Sequence, residues 1–326
     1  MSLDADAIVD RRRMRRKLTF WRVVAVLVGI GAVAAIALAL GGGAGRLAEP
    51  GGSYIARVTI QGIILGDRER VEALQRLATS RARAVIVHVD SPGGTTAGSE
   101  QLFDALREVA DKKPTVVVVD GLAASGGYIT AMSADHIIAH DTSLVGSIGV
   151  LFQYPNVSDL LGKIGVKVEE IKSSPLKASP NGFEPTSPEA RAAIEAIVKD
   201  SYDWFRTMVK NRRKLDDAAL DRVADGRVFT GHQGIELKLV DEIGNEKTAI
   251  DWLAKEKNID PKLKVQDWQL RSRFSELPFL HVLVAAGLDA VGLPQVARRI
   301  LDMSDVQAAG LNLDGLLALW QPSVSN

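Results

Sequence analysis

The chain has 326 residues, no cysteine and a formal net charge of zero. That length suits one large α/β domain, or one domain with additions. The absence of cysteine excludes disulfides, thiolate catalysis and Cys-ligated metal, and the neutral total offers no general basic surface for nucleic acid.

Residues 11–17, RRRMRRK, are nearly all cationic, and an uncharged run follows from Val23 to Ala44. A run of that length is near the ~20 residues a bilayer-spanning helix needs. A cleavable signal peptide has a shorter apolar core of ~7–15 residues, so a retained anchor is expected, although Ala37-Leu38-Ala39-Leu40-Gly41 would also supply small residues for cleavage. The cationic flank belongs on the cytoplasmic side, and the rest of the chain on the far side. The expected partition is a basic cytoplasmic segment at 1–22, a transmembrane anchor in contact with lipid at 23–44 and a flexible Gly-rich stalk at 45–53. A globular domain at 54–257 and a C-terminal extension at 258–326 complete it.

In the globular part, Tyr54 to Gln61 alternates as a half-buried strand does. Arg68 to Ser80 reads as a helix, Ala84 to Asp90 as a buried strand, and Thr96 to Lys112 as a helix. Thr115 to Asp120 is the next strand. It leads into Gly121–Tyr128, GLAASGGY, and a short helix to about Ser133. Ile137 to Ala139 is a third strand. Strand, turn and helix in repeating order predict a parallel sheet with right-handed crossovers. His136 and His140 lie on that last strand, where i and i+4 are ~13 Å apart, too far for one ion. No metal site is expected.

Ligand sites in such sheets lie at the carboxyl ends of the strands. Two glycine turns fall there, Ser91-Pro92-Gly93-Gly94 and Ala124-Ser125-Gly126-Gly127. Ser125, at a sharp strand-to-helix turn, is expected to present its Oγ outward. The N–H groups of Gly93 or Gly94 and of Gly126 can point at one carbonyl oxygen. Taken alone, the serine turn reads equally well as an N-cap and a tight turn. The Lys that a phosphate-binding loop needs after its glycines is missing from Ser91–Gly94.

A Ser–His–Asp triad would need a histidine near Ser125, and Leu144 to Val150 holds none. The other solution is a lysine made neutral by burial. Lys172 closes an alternating strand, Val166 to Ile171, and Lys177 sits between two prolines in irregular chain. The residue pattern leaves both open. Beyond them, Ser187-Pro188-Glu189 caps a helix that ends near Asn211, and Asp216 to Ala224 is another. Asp225-Gly226-Arg227 turns into a strand. Gly231 to Leu239 and Glu246 to Lys255 read as helices. In the tail, Phe279 to Leu301 and Leu313 to Trp320 are too short to span a membrane. They can pad subunit contacts, lie on the membrane or pack on the body.

DSPGG at 90–94, AASGGYI at 123–129, GSIGV at 146–150, IKSSPLKAS at 171–179, ADGRVFTG at 224–231 and LVDEIG at 239–244 together resemble the signal peptide peptidase A family. The likeness covers roughly Ile55 to Leu253. It implies an α/β Clp/crotonase-like parallel sheet with flanking helices, behind one N-terminal transmembrane helix. It further implies Ser125 as nucleophile and Lys177 as general base. Ser147 would orient the lysine, and Gly93, Gly94 and Gly126 would serve as oxyanion donors. One copy of each motif matches the half-length form of the family. In that form serine and lysine come from neighbouring subunits of a ring-shaped homo-oligomer. The implied activity is a membrane serine endopeptidase with no cofactor. It would work on remnant signal peptides and similar apolar peptides, on the periplasmic side of a bacterial inner membrane. The rival readings are a non-catalytic tethered scaffold, a related membrane protease with other protein substrates, and an acyl-coenzyme A enzyme.

Overall fold

The computed structural model describes residues 52–270, the backbone of 316–319 and, before them, Lys17 alone. The expected anchor at 23–44 and most of the tail lie outside the described residues. Among those described, no helix is long and apolar enough to cross a membrane.

The strands form where the sequence alternates or runs apolar. The first, β1 (Tyr54–Gln61), pairs in parallel with β2 (Ala82–Ser91), and β2 with β4 (Thr115–Ala124). β4 continues in parallel to β5 (His136–Ala139), and β5 to β9 (Glu242–Ile243). On the other edge β1 takes β10 (Val265–Asp267). This path is parallel throughout, as expected. The full sheet is mixed, however. β6 (Leu144–Gly146) adds in parallel to the end of β4, and β8 (Val228–Thr230), returning from the Asp225–Arg227 turn, pairs antiparallel with β6.

Both faces of β2 and β4 are covered, which is why Val85–Val87 and Val116–Val119 are unbroken apolar runs. On one face lie α1 (Arg68–Thr79), α2 (Thr96–Ala110), α3 (Gly126–Ala131) and α5 (Pro188–Arg213), with Leu74, Leu106, Ile129 and Phe205 in the core. On the other, α8 (Glu246–Lys257) packs Ala249 and Leu253 on Ile55, Ile86, Val116 and Ile138. The helices begin at side-chain caps: Asp67 accepts from Arg70 N, Thr95 from Gly98 N, and Ser187 from Ala190 N. Each such cap contributes ~1 kcal/mol. Ser187 with Pro188 is the start read from sequence. Two short helices, α6 (Asp217–Val223) and α7 (Gly231–Glu236), complete this face.

Between the sheet and α5 runs a long excursion. It holds the two-residue β7 (Leu151–Phe152) and the one-turn α4 (Ser158–Lys163). None of residues 149–189 is buried. Val166 to Ile171 forms no strand, which corrects the expectation. Its alternation is real, but it pairs with no strand among the described residues, and Val166, Val168 and Ile171 are all exposed.

Candidate functional site

β4 does not stop at Asp120; it runs on to Ala124, and α3 starts at Gly126. Ser125 alone makes the turn, with φ 55° and ψ −115°. A non-glycine residue held there stores on the order of 1–3 kcal/mol and persists only where its surroundings fix it. Here they do: Ser125 N donates to Gly146 O at 2.8 Å, and Tyr128 N and Ile129 N both donate to Ser125 O. α3 also lies so close to the end of β2 that a Cβ on Gly127 would stand 2.5 Å from Ser91 O.

The side chain is not presented to solvent. Ser125 is 1% exposed. Its Oγ makes a long hydrogen bond, 3.4 Å, to Gly149 O. Outward presentation is therefore corrected to a buried hydroxyl whose one hydrogen-bond partner among the described residues is a backbone carbonyl.

Ser147 stands beside it. β4 and β6 pair Ala124 with Gly146, so the two serines directly follow partnered residues. Ser147 also has positive φ, 50°, and is buried, with its N–H given to Arg227 O at 2.8 Å. Its hydroxyl has no partner among the described residues.

The Ser91–Gly94 turn is more ordered than a loop. Gly93–Thr95 form a short strand, β3, against Ile64. Ile64 N donates to Gly93 O and Thr95 N to Ile64 O, each at 2.9 Å. Alternation then leaves the N–H and C=O of Gly94 facing the opposite edge. Gly93 N is already donated to Ser91 Oγ at 3.1 Å, and that hydroxyl donates to Gly62 O at 2.7 Å. Of the two glycines in this turn, Gly94 is the one whose N–H is not taken by Ser91 or Ile64; it faces the edge on which β11 (Leu316–Leu319) pairs Ala318 with Gly94. Gly126 supplies the first N–H of α3. Ser91 and Gly149 were not singled out from the sequence. Ser91 could have been, since it precedes a glycine pair at a strand end; Gly149 acts through its backbone and leaves no side-chain signal.

The two lysines left open separate clearly. Lys172 Nζ lies 2.6 Å from Glu170 Oε2 and 2.6 Å from Glu184 Oε1, and those carboxylates, Glu170 foremost, raise its pKa. A lysine held as a cation is a poor proton acceptor. Lys177 is exposed on the excursion, and its Nζ has no hydrogen-bond or ion-pair partner among the described residues. Arg227 makes an exposed ion pair with Asp225.

A cavity of about 650 Å³ opens beside Gly149, walled by Val150, Phe152, Tyr154, Val198 and Tyr202. Its size is that of a ligand pocket and its wall is largely apolar. α5, which forms one side, is fixed at its far end: Arg212 donates to Met132 O and Ala134 O, both at 2.7 Å, and Arg213 Nη2 to Asp241 Oδ1 at 2.6 Å. Two of the described histidines are engaged elsewhere. His88 bridges Asp120 and Glu246 at 2.9 Å each, and His136 stacks on Trp252. Among the described residues no cluster could hold a metal ion.

A doubly covered sheet, two glycine turns at its carboxyl end and a serine on a strained strand–helix turn define a Clp-protease-like α/β protein, and residues 67–142 match the Clp protease family. The chain belongs to peptidase family S49, which it matches over residues 107–260. A protein of Synechocystis provisionally named a protease is 37% identical over 209 residues, covering 64% of this chain and 76% of that one. Protease 4 of Haemophilus influenzae is 32% identical over 58% of this chain and 31% of its own length. The chloroplastic serine protease SPPA of Arabidopsis thaliana is 28% identical over 84% of this chain and 39% of its own. This chain thus spans three quarters of the first relative and well under half of the other two. Among solved structures, a ClpP1 mutant of Listeria monocytogenes aligns with a TM-score of 0.40 and 14% identity, over 58% of this chain and 91% of that one.

Proposed function

We propose that the chain is a membrane-anchored serine endopeptidase whose Ser125 and Lys177 come together between neighbouring copies in a ring-shaped homo-oligomer. The observation that carries this reading is the separation of the two halves of a dyad. Among the described residues Ser125 is buried, strained and offered only the Gly149 carbonyl, while Lys177 stands unpaired on an excursion that buries nothing. Burial disfavours the charged form of an amine, so covering Lys177 with another surface is what fits it to act as base. The excursion exposes Leu160, Ile164, Val168, Ile171, Leu176 and Phe183, apolar side chains that a neighbouring copy can cover.

In the assembled site Ser125 Oγ attacks the scissile carbonyl and its proton passes to the neutral Lys177 amine. The N–H groups of Gly94 and Gly126, with Gly93 as part of the same turn, face the developing oxyanion. Lys177 then gives the proton to the leaving amine, and water releases the acyl group by the same steps in reverse. Ser147, beside Ser125 with an unengaged hydroxyl, holds the lysine amine in line. The apolar cavity next to Gly149 suits small or aliphatic side chains, which supports remnant signal peptides as substrates. The 23–44 anchor would place this chemistry on the periplasmic face of the inner membrane. Replacing Ser125 by alanine tests the reading. Peptide cleavage should vanish while the oligomer persists, and cleavage at the original rate removes Ser125 from the mechanism.

A further inference from the structure

Lys177 sits on a loop that closes upon one carboxylate oxygen. Glu184 Oε1 accepts from Lys172 Nζ at 2.6 Å, from Ser179 Oγ at 3.1 Å and from Asn181 Nδ2 at 3.0 Å. Lys172 precedes Lys177 and Ser179 follows it, so a single atom holds both ends of the segment that carries the amine. Asn181 adds a second tie, Nδ2 to Ala178 O at 3.3 Å. Between those ends the chain is tightly wound. Lys177 N donates to Ser174 O at 3.1 Å and Ser179 N to Leu176 O at 3.2 Å, and Ala178 takes positive φ, 57°.

The carboxylate is itself fastened to the chain that follows β7. Val157 N donates to Gly182 O at 2.8 Å, and Asn156 Nδ2 to Glu184 O at 3.0 Å. A Cβ on Gly182 would stand 2.5 Å from Pro155 O, so the two stretches meet backbone to backbone. Tyr154 and Thr186 join hydroxyls beside them. The donors, Lys172 foremost and then Ser179, hold the Glu184 carboxyl below its ordinary range, and an ionised carboxylate only accepts.

We propose that Glu184 is the positioning residue of the general base: its carboxylate closes the loop from Lys172 to Asn181 and so fixes the place at which Lys177 is delivered to a neighbouring copy. This rests on the protease reading above and deepens it. Glu184 touches no reacting atom and acts through Lys177. The arrangement has an asymmetry that an experiment can read. Removing Lys172 or Ser179 leaves two donors on Glu184 Oε1 and the loop still closed. Removing the carboxylate releases all three at once. A loop so released offers the amine in many positions, and a displacement near 1 Å costs about a hundredfold in rate. Glu184→Gln keeps an oxygen for Ser179 and Asn181 and gives up only the ionic tie, so it should match Lys172→Ala.

The test measures kcat and KM for a fluorogenic apolar peptide with the full chain in its oligomer. The variants are Glu184→Ala, Glu184→Gln, Lys172→Ala and Ser179→Ala, with Lys177→Ala alone and combined with Glu184→Ala. Glu184→Ala should lower kcat about a hundredfold with KM within about twofold, since the amine is misplaced and the substrate site is untouched. The other three single variants at the tie should stay within about fivefold, the worth of one exposed ion pair. Added to Lys177→Ala, Glu184→Ala should cost nothing more, read on an activated ester whose residual hydrolysis is measurable. Three results overturn the proposal: Glu184→Ala within about fivefold of the parent, Glu184→Gln falling far below Lys172→Ala, or a Glu184→Ala loss that multiplies with that of Lys177→Ala. Lys177→Ala at parental activity removes the base itself and the proposal with it. A dead Lys177→Ala beside a fully active Glu184→Ala overturns the positioning role alone and leaves the protease reading standing.

Discussion

Gly94 is where sequence, packing and chemistry meet most tightly. A Cβ built there would lie 1.7 Å from Ile64 O, 2.5 Å from Ile64 C and 2.7 Å from Ile64 N, all backbone atoms that cannot rotate away. Gly94→Ala must therefore push β3 off Ile64 by more than 1 Å, on the order of what removes a hydrogen bond. Two backbone hydrogen bonds are at stake, Ile64 N to Gly93 O and Thr95 N to Ile64 O. At about 1 kcal/mol each, with about 1 kcal/mol or more of overpacking, the loss is about 3 kcal/mol. For a domain of this size that lowers Tm by roughly 6–12 °C. The same shift moves the N–H of Gly94, and a displacement near 1 Å costs about a hundredfold in rate. Thermal unfolding followed by circular dichroism, with kcat/KM on a fluorogenic peptide, reads both effects. Gly162→Ala is the control, since a Cβ there meets nothing within 4 Å. A Gly94→Ala protein that melts with the parent, or keeps its kcat/KM, would refute the packing argument.

Further predictions concern the lysines, the ion network and the core. Lys177→Ala should lower kcat/KM by on the order of 10³, the range of a lost general base, whereas Lys172→Ala should stay within a few-fold; the reverse order would move the base to Lys172. Arg57 donates to both oxygens of Glu246, Nε at 2.5 Å and Nη2 at 2.6 Å, and with His88 it holds the Glu246 carboxyl below the usual range. The folded state thus resists protonating Glu246. Its contribution is complete above the unfolded glutamate value of about 4.3 and is lost as pH falls through the lower folded value. Glu246→Gln should cost about 1–2 kcal/mol at pH 7 and flatten the acid limb of the stability profile below the unfolded glutamate value, and an unchanged acid limb in urea titrations would contradict this. Phe205 is fully buried between α5 and the sheet, so Phe205→Ala should cost about 3–5 kcal/mol, measured by the urea midpoint at unchanged m.

Much of this architecture could be read from residue pattern. β1 was predicted with its observed limits, and α5 was found from its Ser187–Pro188 start, because those signals are local. Ser125 and both glycine turns were placed at the carboxyl ends of adjacent parallel strands, and β2 and β4 are adjacent. What stayed hidden depends on distant chain. Val166–Ile171 alternates like a strand but has no strand to pair with among the described residues, and alternation cannot report a missing partner. Ser125 was expected outside because a turn usually is; its burial depends on chain distant in sequence, such as Gly149, whose residues give no sign of it. Lys172 and Lys177 looked alike until Glu170 and Glu184 were seen to hold one of them. β11 was read only as an apolar run, since its partners lie more than 160 residues away in sequence.

The claim on which the function rests is that one copy supplies Ser125 and its neighbour Lys177, and mixing two dead variants tests it most directly. Ser125→Ala and Lys177→Ala chains, each inactive alone, would be co-expressed in equal amounts so that rings assemble at random. A shared site then finds an intact serine beside an intact lysine in about one quarter of cases, and turnover should recover to about one quarter of the parent. A dyad built within single chains has no intact pair in any such mixture. Activity that stays at the background of the separate variants, in rings shown to contain both chains, would contradict the account.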